Sequence, residues 1–342
     1  MDWEQLGQTR KPIVLYGMGD GADRILRAMA QRGIAPAGVF ANDEFVRGQT
    51  FRGFPVLRYD EAKRRFSDML VLLAFGTSLL PVMERIEAVA CEQELYAPDF
   101  PVVDGPAFDR AFCARHKAEL EAVYARLADR QSRVVFAQLL RYKLSWQIRY
   151  LRECETAPDE AYTQLLRLAP GEVLADLGAY KGDTVREFVR RCPDYRAIYA
   201  VEPDAYSFRQ LQKTTAGLRD CTCVQALAGA SAGTALFRAR GGRGSRRAAD
   251  GAPVPVVSAD TLLGRAGASF FNIDVEGAER EALLGAADTI RRCRPKLLLA
   301  AYHRSEDLFA LPQLVLSLRG DYTVYLRRHR QLPAWDINYY FV

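Results

Sequence analysis

A carboxylate followed by two spaced glycines is the strongest chemical signal in this sequence. Residues 174–183 read Leu-Ala-Asp-Leu-Gly-Ala-Tyr-Lys-Gly-Asp, so Asp176, Gly178 and Gly182 have the spacing D-x-G-x-x-x-G at the end of an apolar strand. Glycines here let a ligand approach the main chain closely. The spacing differs from the G-x-G-x-x-G of dinucleotide sites. It therefore predicts a small adenosyl-type ligand on this backbone.

A second apolar strand, residues 197–201, also ends in a carboxylate. Glu202 follows it, twenty-six positions after Asp176. A carboxylate at this place is suited to accept hydrogen bonds from a ribose diol. Two acidic strand ends in one βαβ unit point to S-adenosylmethionine.

A third acidic motif follows a predicted strand at residues 270–273. Asp274 comes directly after that strand, and Glu276 and Glu279 stand at the start of the next helix. The carboxyl ends of the strands form the edge of an open α/β sheet where ligands bind. We expect Asp274 and Glu276 to face the cleft, and Glu279 to stabilise the first helical turn.

These motifs need a parallel sheet to bring their strand ends together. From residue 169 onward the chain alternates strand and helix patterns, as such a sheet requires. The predicted strands are 173–177, 198–201, 222–226, 270–273 and 296–301, followed by a terminal pair at 322–327 and 338–342. An Arg-rich stretch and residues 253–257 are predicted to add a hairpin. We therefore predict one α/β domain over residues 169–342.

The first 108 residues read as a smaller, Rossmann-like α/β domain. Gly17, Gly19 and Ala22 satisfy G-x-G-x-x-A after a short apolar strand, and Asp43 lies a little beyond the expected acidic position. Three interpretations stay open for this weak match. The glycines close a strand–helix turn, bind a nucleotide or nucleotide sugar, or hold NAD.

Residues 109–168 are predicted as a helical connector. Apolar side chains recur there at helical spacing, namely Leu120, Val123, Tyr124 and Leu127, and then Val135, Leu139, Tyr142 and Trp146. We expect this stripe to pack between the domains, with a homodimer face as the alternative.

Composition excludes several broad classes of protein. The 342 residues, 49% hydrophobic and 26% charged, fit about two ordinary globular domains. We find no apolar run long enough to span a bilayer and no signal-peptide core in residues 1–11, so we expect a cytoplasmic protein. Seven scattered cysteines without C-x-x-C predict reduced, mostly buried thiols.

Basic residues cluster twice although the net charge is only +5. The first cluster is Arg238, Arg240, Arg243, Arg246 and Arg247, and the second is Arg327, Arg328, His329 and Arg330. Each is either a solvated surface or a patch for an anionic substrate. Neither contains interleaved aromatic residues for base stacking, so we expect no nucleic-acid partner.

The motifs resemble those of the FkbM family of S-adenosylmethionine-dependent O-methyltransferases. The matching segments are Asp-Leu-Gly-Ala-Tyr-Lys-Gly-Asp-Thr (176–184), Tyr-Ala-Val-Glu-Pro-Asp (199–204), Asn-Ile-Asp-Val-Glu-Gly-Ala-Glu (272–279), Pro-Lys-Leu-Leu-Leu-Ala-Ala-Tyr-His-Arg-Ser-Glu-Asp-Leu (295–308) and Tyr-Leu-Arg-Arg-His (325–329). The resemblance implies a class I methyltransferase fold, Rossmann-like, with a mostly parallel seven-stranded sheet and an antiparallel last strand. The N-terminal domain more weakly resembles a Rossmann-like segment fused to some members, and the nucleotide-sugar-binding part of certain sugar acyltransferases.

The resemblance implies S-adenosyl-L-methionine as cofactor. Asp176 would lie near the methionyl ammonium, Glu202 would hold the ribose hydroxyls, and Gln225 with Ala226 would border the adenine. The full predicted cofactor set is Asp176, Gly178, Ala179, Tyr180, Gly182, Asp183, Thr184, Glu202, Pro203, Gln225, Ala226 and Asp274.

His303, just past a strand end, is the candidate general base because imidazole titrates near neutral pH. A histidine hydrogen-bonded into the structure is the alternative. Asp274 or Glu276 would orient His303 or contact the acceptor hydroxyl. We predict no metal, although a divalent cation on Asp274 with Glu276 or His303 is a second arrangement.

The predicted acceptor is a hydroxyl of a sugar, a glycosylated small molecule or a nucleotide sugar. Arg246 and Arg247 would bind its phosphate through forked hydrogen bonds, beside Glu276 and His303. Two other classes of function stay open. One is an NAD(P)-dependent oxidoreductase at the Gly17–Ala22 turn, and the other is a non-catalytic scaffold that senses the cofactor.

Overall fold

Two large β-sheets and the helices between them organise the chain in this computed structural model. The structure describes residues 1–103, 105–238 and 251–342, and for residues 246–247 the backbone alone. Within these described ranges, no helix combines the length and the apolar character that a membrane crossing needs.

The N-terminal sheet has six strands, and all neighbouring pairs are parallel except β3 with β4. The strands are β1 (Ile13–Tyr16), β2 (Gly38–Phe40), β3 (Thr50–Phe51), β4 (Phe54–Leu57), β5 (Leu70–Leu73) and β6 (Glu94–Tyr96). The helices are α1 (Trp3–Gln8), α2 (Asp20–Ala30), α3 (Tyr59–Phe66) and α4 (Leu80–Glu92). The spatial order β3-β4-β2-β1-β5-β6 is that of a doubly wound sheet, whose inner strands are apolar because helices cover both faces.

Helices follow from residue 110. They are α5 (Arg110–Arg115), α6 (Lys117–Arg126), α7 (Arg130–Ser145), α8 (Arg149–Arg152) and α9 (Pro158–Glu160), which runs into a π-helical segment, Ala161–Leu166. The predicted apolar stripe on α7 is buried within the chain, with Val135, Leu139 and Tyr142 fully covered. Core packing therefore accounts for this stripe.

The C-terminal sheet has seven strands in the order β16-β17-β15-β14-β7-β8-β9. The strands are β7 (Val173–Leu177), β8 (Ala197–Val201), β9 (Cys221–Val224), β14 (Phe270–Ile273), β15 (Lys296–Ala300), β16 (Val324–Arg328) and β17 (Ile337–Phe341). The helices are α10 (Asp183–Arg191), α11 (Ala205–Thr215), α12 (Ala259–Leu263), α13 (Glu279–Leu284), α14 (Ala287–Cys293) and α15 (Asp307–Leu318). The last strand, β17, is antiparallel to both neighbours. The predicted class I methyltransferase fold is confirmed.

A small sheet interrupts the alternation between β9 and β14. It has the order β10-β13-β11-β12 and consists of β10 (Leu227–Ala228), β11 (Gly233–Arg238), β12 (Arg246–Arg247) and β13 (Ala252–Val257). The predicted strand at 253–257 is present as β13, but it pairs antiparallel with β11, which ends where the Arg-rich stretch begins at Arg238. Arg240 and Arg243 lie outside the described residues, as do the side chains of Arg246 and Arg247, so their predicted acceptor role remains a prediction.

Three members of the second basic cluster are buried, whereas Arg330 is about half exposed, and neither sequence-based interpretation of Arg327 and Arg328 holds. Arg327 is 2% exposed and pairs with Asp129 at 2.7 Å, and Arg328 is completely buried and donates to the Leu151 carbonyl at 2.8 Å. Their partners come from the helical connector. These arginines therefore join the connector to β16 and bind no anionic substrate from solution.

One continuous hydrophobic core joins the two sheets, from Val14 in β1 to Phe341 in β17. A backbone pairing reinforces the junction, because Thr77 after β5 and Leu332 before β17 exchange hydrogen bonds of 2.7 and 2.9 Å. The carboxyl edge of the N-terminal sheet therefore lies beside the cleft of the C-terminal sheet.

Candidate active site

The loop between β7 and α10 contains three residues in the left-handed backbone region. Gly178, Tyr180 and Gly182 have φ values of 90°, 48° and 85°. A β-carbon on Gly178 would lie 1.8 Å from the carbonyl oxygen of Asp274, so no larger residue fits there without a shift of the backbone. The first and third acidic motifs therefore meet at this contact.

Asp176 lies within β7 and is completely buried. One carboxylate oxygen accepts a hydrogen bond from the Asn272 side chain at 2.7 Å, and the other has no hydrogen-bond partner among the described residues. Burial raises the pKa of Asp176 to about 7, although the Asn272 bond opposes the rise. Asn272 lies between this carboxylate and the cavity described below.

Glu202 follows β8, and backbone donors orient its carboxylate. Its two oxygens accept from the backbone N–H groups of Tyr180 at 2.9 Å and Asp204 at 2.8 Å. Burial raises the pKa of Glu202 to about 7, and these two hydrogen bonds counteract the rise. Each carboxylate oxygen has a second lone pair, so Glu202 can also accept from a ligand diol.

Asp274 lies in the cleft at the end of β14. Solvent reaches 40% of its side chain, and the Tyr302 hydroxyl lies 3.2 and 3.3 Å from its two oxygens and donates to them. The surrounding protein raises the pKa of Asp274 to about 7 by desolvation, against the opposing charge of His303. A carboxylate with this pKa exchanges protons near neutral pH.

His303 is completely buried behind these groups and faces three carboxylates. Its Nδ1 lies 3.0 Å from Glu279 Oε1, and its Nε2 lies 3.4 Å from Glu276 Oε2 and 3.5 Å from Asp274 Oδ1. Burial alone would lower the pKa of His303. The negative charges of these carboxylates outweigh burial and raise the pKa of His303 well above its usual value. The same pairing holds the pKa of Glu279 below its usual value although that side chain is buried.

Glu279 also holds the turn after β14. Its Oε1 accepts from the backbone N–H groups of Val275 at 3.0 Å and Gly277 at 3.2 Å. Between them, Glu276 has a φ of 53°, in the left-handed region that side chains rarely adopt. Glu279 therefore has more than the expected helix-capping role, because it fixes the loop that carries Asp274 and Glu276.

A cavity of about 690 Å³ opens at this edge of the sheet, within the size range of small-molecule sites. The predicted site residues that line it are Gly178, Tyr180, Asp183, Thr184, Glu202, Pro203, Asp274 and Glu276. The Glu202 end and the Asp274 end open into the same space. The cavity can therefore hold an adenosyl ligand and a second molecule side by side.

The comparisons with known proteins agree with this geometry. Residues 176–329 match the family model of the methyltransferase FkbM domain. This part of the chain is an FkbM methyltransferase domain. The family predicted from the motifs is confirmed, and membership implies the use of S-adenosylmethionine.

Solved structures show how far the fold is shared. Methyltransferase FkbM from Methylobacillus flagellatus KT matches with a TM-score of 0.78 and 22% identity, over 99% of this chain and 92% of that chain. At this identity the likeness shows a common fold, including the part that precedes the FkbM domain.

More distant structural matches cover about half of the chain. Precorrin-6y C5,15-methyltransferase from Geobacter metallireducens GS-15 matches 52% of this chain and 81% of its own, with 15% identity and a TM-score of 0.34. An rRNA methylase from Streptococcus thermophilus matches 54% and 91%, with 11% identity and a TM-score of 0.34. No curated protein sequence matches the chain.

Several predicted residues of the FkbM domain do not reach the cavity. They are Asp176, Ala179, Gly182, Gln225, Ala226 and His303. Gln225 is exposed at the strand end, whereas Leu227 and Ala228 line the cavity instead. Because His303 is buried behind Asp274 and Glu276, it can act on a bound acceptor only through those carboxylates.

Other cavity residues had no signal in the sequence. Ser78, Val102 and Val103 come from the part before the FkbM domain, and Trp335 and Asp336 come from the segment before β17. These positions reach the cavity only because the chain brings distant segments together. Tyr302 was also missed, although it stands next to His303 in the matched segment 295–308.

Two glycines of the N-terminal turn have a packing role, whereas Gly19 has nothing within 4 Å of an added β-carbon. A β-carbon on Gly17 would lie 2.5 Å from the Phe75 ring, and one on Gly21 would lie 2.1 Å from the Ala74 carbonyl oxygen. Both contacts join the turn after β1 to the segment after β5. This observation favours the strand–helix closure among the three sequence-based interpretations.

Proposed function

We propose that this FkbM domain transfers a methyl group from S-adenosylmethionine to a hydroxyl of a sugar, or of a glycosylated or nucleotide-sugar acceptor. The observation that carries the proposal is the shared cavity. Glu202 lines it at one side, and the Asp274–Glu276 pair lines it beside Gly178. A methyl donor and an oxygen nucleophile can therefore meet within one enclosed volume.

The cofactor side supports binding of an adenosyl ligand. Backbone N–H groups hold both oxygens of Glu202 in place, so its remaining lone pairs are fixed for a ribose diol. The open backbone at Gly178 and the side chains of Asp183 and Thr184 line the adjoining space. S-adenosylmethionine would supply an electrophilic methyl carbon attached to a sulfonium.

The acceptor side has the chemistry of a hydroxyl-binding site. Asp274, Glu276 and Asp336 offer hydrogen-bond acceptors, and Asn338 offers both a donor and an acceptor. Trp335 adds an aromatic face at the same wall. A sugar presents many hydroxyls around an apolar ring face, so this combination favours a sugar over an apolar acceptor.

The chain's own task is to align the hydroxyl and remove its proton. Asp274 is placed for this, because it lines the cavity and its pKa of about 7 allows it to accept a proton near neutral pH. In the reaction the acceptor O–H bond breaks, the oxygen forms a bond to the methyl carbon, and the electron pair of the C–S bond passes to sulfur. The Tyr302 hydroxyl holds Asp274 in position.

The first test is calorimetric titration with S-adenosylmethionine, S-adenosylhomocysteine and NADH. In Glu202→Gln an amide N–H₂ replaces an oxygen that accepts a backbone N–H, so we expect at least a roughly tenfold weaker affinity for both adenosyl-sulfur ligands. Glu84→Gln, an exposed carboxylate on α4, is the control and should leave binding unchanged.

Methyl transfer is then measured with labelled S-adenosylmethionine and a panel of sugars and nucleotide sugars. Nuclear magnetic resonance of the product identifies the methylated atom. A new O–CH₃ group on a sugar supports the proposal. Transfer to nitrogen or carbon, or binding of NADH alone, overturns it.

A further inference from the structure

Four side chains form an acidic cluster beside the cavity, and two of them, Glu279 and His303, are buried: Asp274, Glu276, Glu279 and His303. Glu279 and His303 are 1% and 0% exposed, so water does not solvate them. Asp307 is another buried acid, and its charge interacts with that of Glu279. Buried carboxylates are costly unless cations or hydrogen bonds compensate them.

The cluster contains buried atoms without partners. Both ring nitrogens of His303 and the Oε2 of Glu279 make no hydrogen bond of good geometry among the described residues. The ring lies within 3.0–3.5 Å of three carboxylates, yet its nitrogens do not point at their oxygens.

The negative charge of this cluster lacks a matching positive charge. Within the described ranges, no lysine or arginine forms an ion pair with Asp274, Glu276 or Glu279. The neighbouring Arg304 directs its Nε to the Gly277 carbonyl at 3.1 Å. A proton on His303 would balance only one of the three carboxylates.

We propose that Asp274, Glu279 and His303 bind a divalent cation, with Glu276 within reach as a fourth ligand. One ligand atom from each of the first three side chains lies within 4.8 Å of the others, the spacing of atoms that share one ion. Only the catalytic role of the cation rests on the proposed methyl transfer. The cation site itself follows from the cluster.

The ligand types narrow the choice of metal. Two or three carboxylates with one imidazole suit Mn²⁺ or a similar first-row ion better than Ca²⁺, which takes oxygen ligands alone. No thiolate belongs to the set. Mn²⁺ is therefore the probe for the experiment.

The position of the site gives the cation a chemical role. Asp274 touches the Gly178 loop and lines the cavity, so an ion on Asp274 would adjoin a hydroxyl placed for methyl transfer. A divalent cation lowers the pKa of a bound hydroxyl. When Asp274, Glu279 and His303 alone hold the ion, Glu276 is left to accept the hydroxyl proton, the oxygen takes the methyl group, and the C–S electron pair goes to sulfur. The ion changes neither charge nor oxidation state.

The decisive experiment measures Mn²⁺ binding to the full chain by electron paramagnetic resonance, without cofactor or acceptor. We expect one Mn²⁺ per chain in the wild type, and at least about tenfold weaker binding in Glu279→Gln and His303→Gln. Glu279→Gln keeps an oxygen for the Val275 and Gly277 N–H groups, so it should fold. Asp274→Asn, at a partly exposed position, is a third variant with the same expected loss.

Matched controls come from a second histidine–carboxylate pair. His116 Nδ1 lies 3.3 Å from Glu119 Oε1 at the start of α6. His116→Gln and Glu119→Gln should leave Mn²⁺ binding unchanged. Folding of each variant is checked by circular dichroism.

The experiment distinguishes a failure of the cation site from a failure of the proposed function. If folded wild type binds no Mn²⁺, or if the folded cluster variants bind it as wild type does, the cation site is overturned. If Mn²⁺ binds as expected but no acceptor hydroxyl is methylated, the site stands and the proposed function fails.

Discussion

The backbone of Gly178 is in direct contact with the carbonyl group of Asp274, where a β-carbon would lie 1.8 Å from the oxygen. This contact joins the loop that would carry the cofactor to the loop that would carry the acceptor. A shift of either loop by an ångström would change the distance between methyl donor and nucleophile. The alignment of the methyl donor with the acceptor therefore depends on Gly178, whose lack of a side chain lets the two loops touch.

Gly178→Ala should destabilise the protein by about 3–5 kcal/mol, because a methyl group would collide with backbone that cannot move independently. Urea unfolding measures this loss. Gly171→Ala is the matched control, since Gly171 has a similar φ of 83° but nothing within 4 Å of the added carbon. That control should lose only about 1 kcal/mol for the backbone conformation. Equal losses in the two variants would contradict the contact.

Asp176→Asn should change how stability depends on pH. The folded-state pKa of Asp176 is about 7, above the unfolded value of about 4, so wild type loses stability as the pH rises from about 4 to 7. Asparagine does not titrate. We therefore expect the free energy of unfolding of the variant, relative to wild type, to rise by about 2–4 kcal/mol between pH 4.5 and pH 8.

Chemical denaturation at several pH values tests this expectation. Asp194→Asn, at an exposed position, serves as the control and should show a difference from wild type that is independent of pH. A pH-independent difference for Asp176→Asn as well would mean that the carboxylate is ionised throughout.

Glu202 should make adenosyl binding stronger as the pH rises. Its pKa of about 7 in the ligand-free protein means that the diol-binding, ionised form grows from about a tenth at pH 6 to about nine tenths at pH 8. Methylthioadenosine, which does not titrate in this range, is a suitable probe. Its affinity should increase roughly tenfold, whereas 2′-deoxy-methylthioadenosine or the Glu202→Gln variant should show a flat profile.

Arg327→Ala should be strongly destabilising, although both sequence-based interpretations placed this residue at the surface. Removing a buried partner of Asp129 costs about 3–5 kcal/mol. Arg330→Ala, three residues away and half exposed, should cost less than about 1 kcal/mol. Thermal unfolding measures both. If both variants lost a similarly small amount of stability, Arg327 would behave as a surface residue.

Some features of the fold could be predicted from the sequence alone, whereas the burial of residues such as Arg327 could not. The strands at 173–177 and 270–273 were predicted with the bounds they have in the structure, because their apolar runs end at acidic and glycine-rich motifs. The first strand of the terminal pair was predicted to start at residue 322, two residues before β16, and the second at residue 338, one residue after the start of β17. The fold class and the strand ends could be predicted because hydrophobic periodicity and turn residues are properties of short segments of sequence.

The features that the sequence did not predict depend on contacts between residues that are far apart in the chain. The partner of Arg327 is nearly two hundred residues away in the chain, at Asp129, so a basic run alone could not reveal its burial. His303 was predicted as the general base, with a histidine hydrogen-bonded into the structure as the alternative, and three carboxylates from another part of the chain enclose it. No local pattern could show this, because Glu276 and Glu279 reach His303 only when β14 and β15 pair.

Trp335→Ala should weaken acceptor binding without affecting the cofactor. Trp335 packs over Gly76 and lines the cavity, and the charge of its neighbour Asp336 acts on Asp274. Loss of its ring face should raise the KM for a sugar acceptor roughly tenfold, while the Kd for S-adenosylhomocysteine stays the same. Trp335→Phe keeps an aromatic face and should restore much of the acceptor affinity, which a loss of fold would not allow. A parallel loss of cofactor affinity in both variants would instead place the adenosyl ligand against Trp335, and the two ends of the cavity would have to exchange their roles.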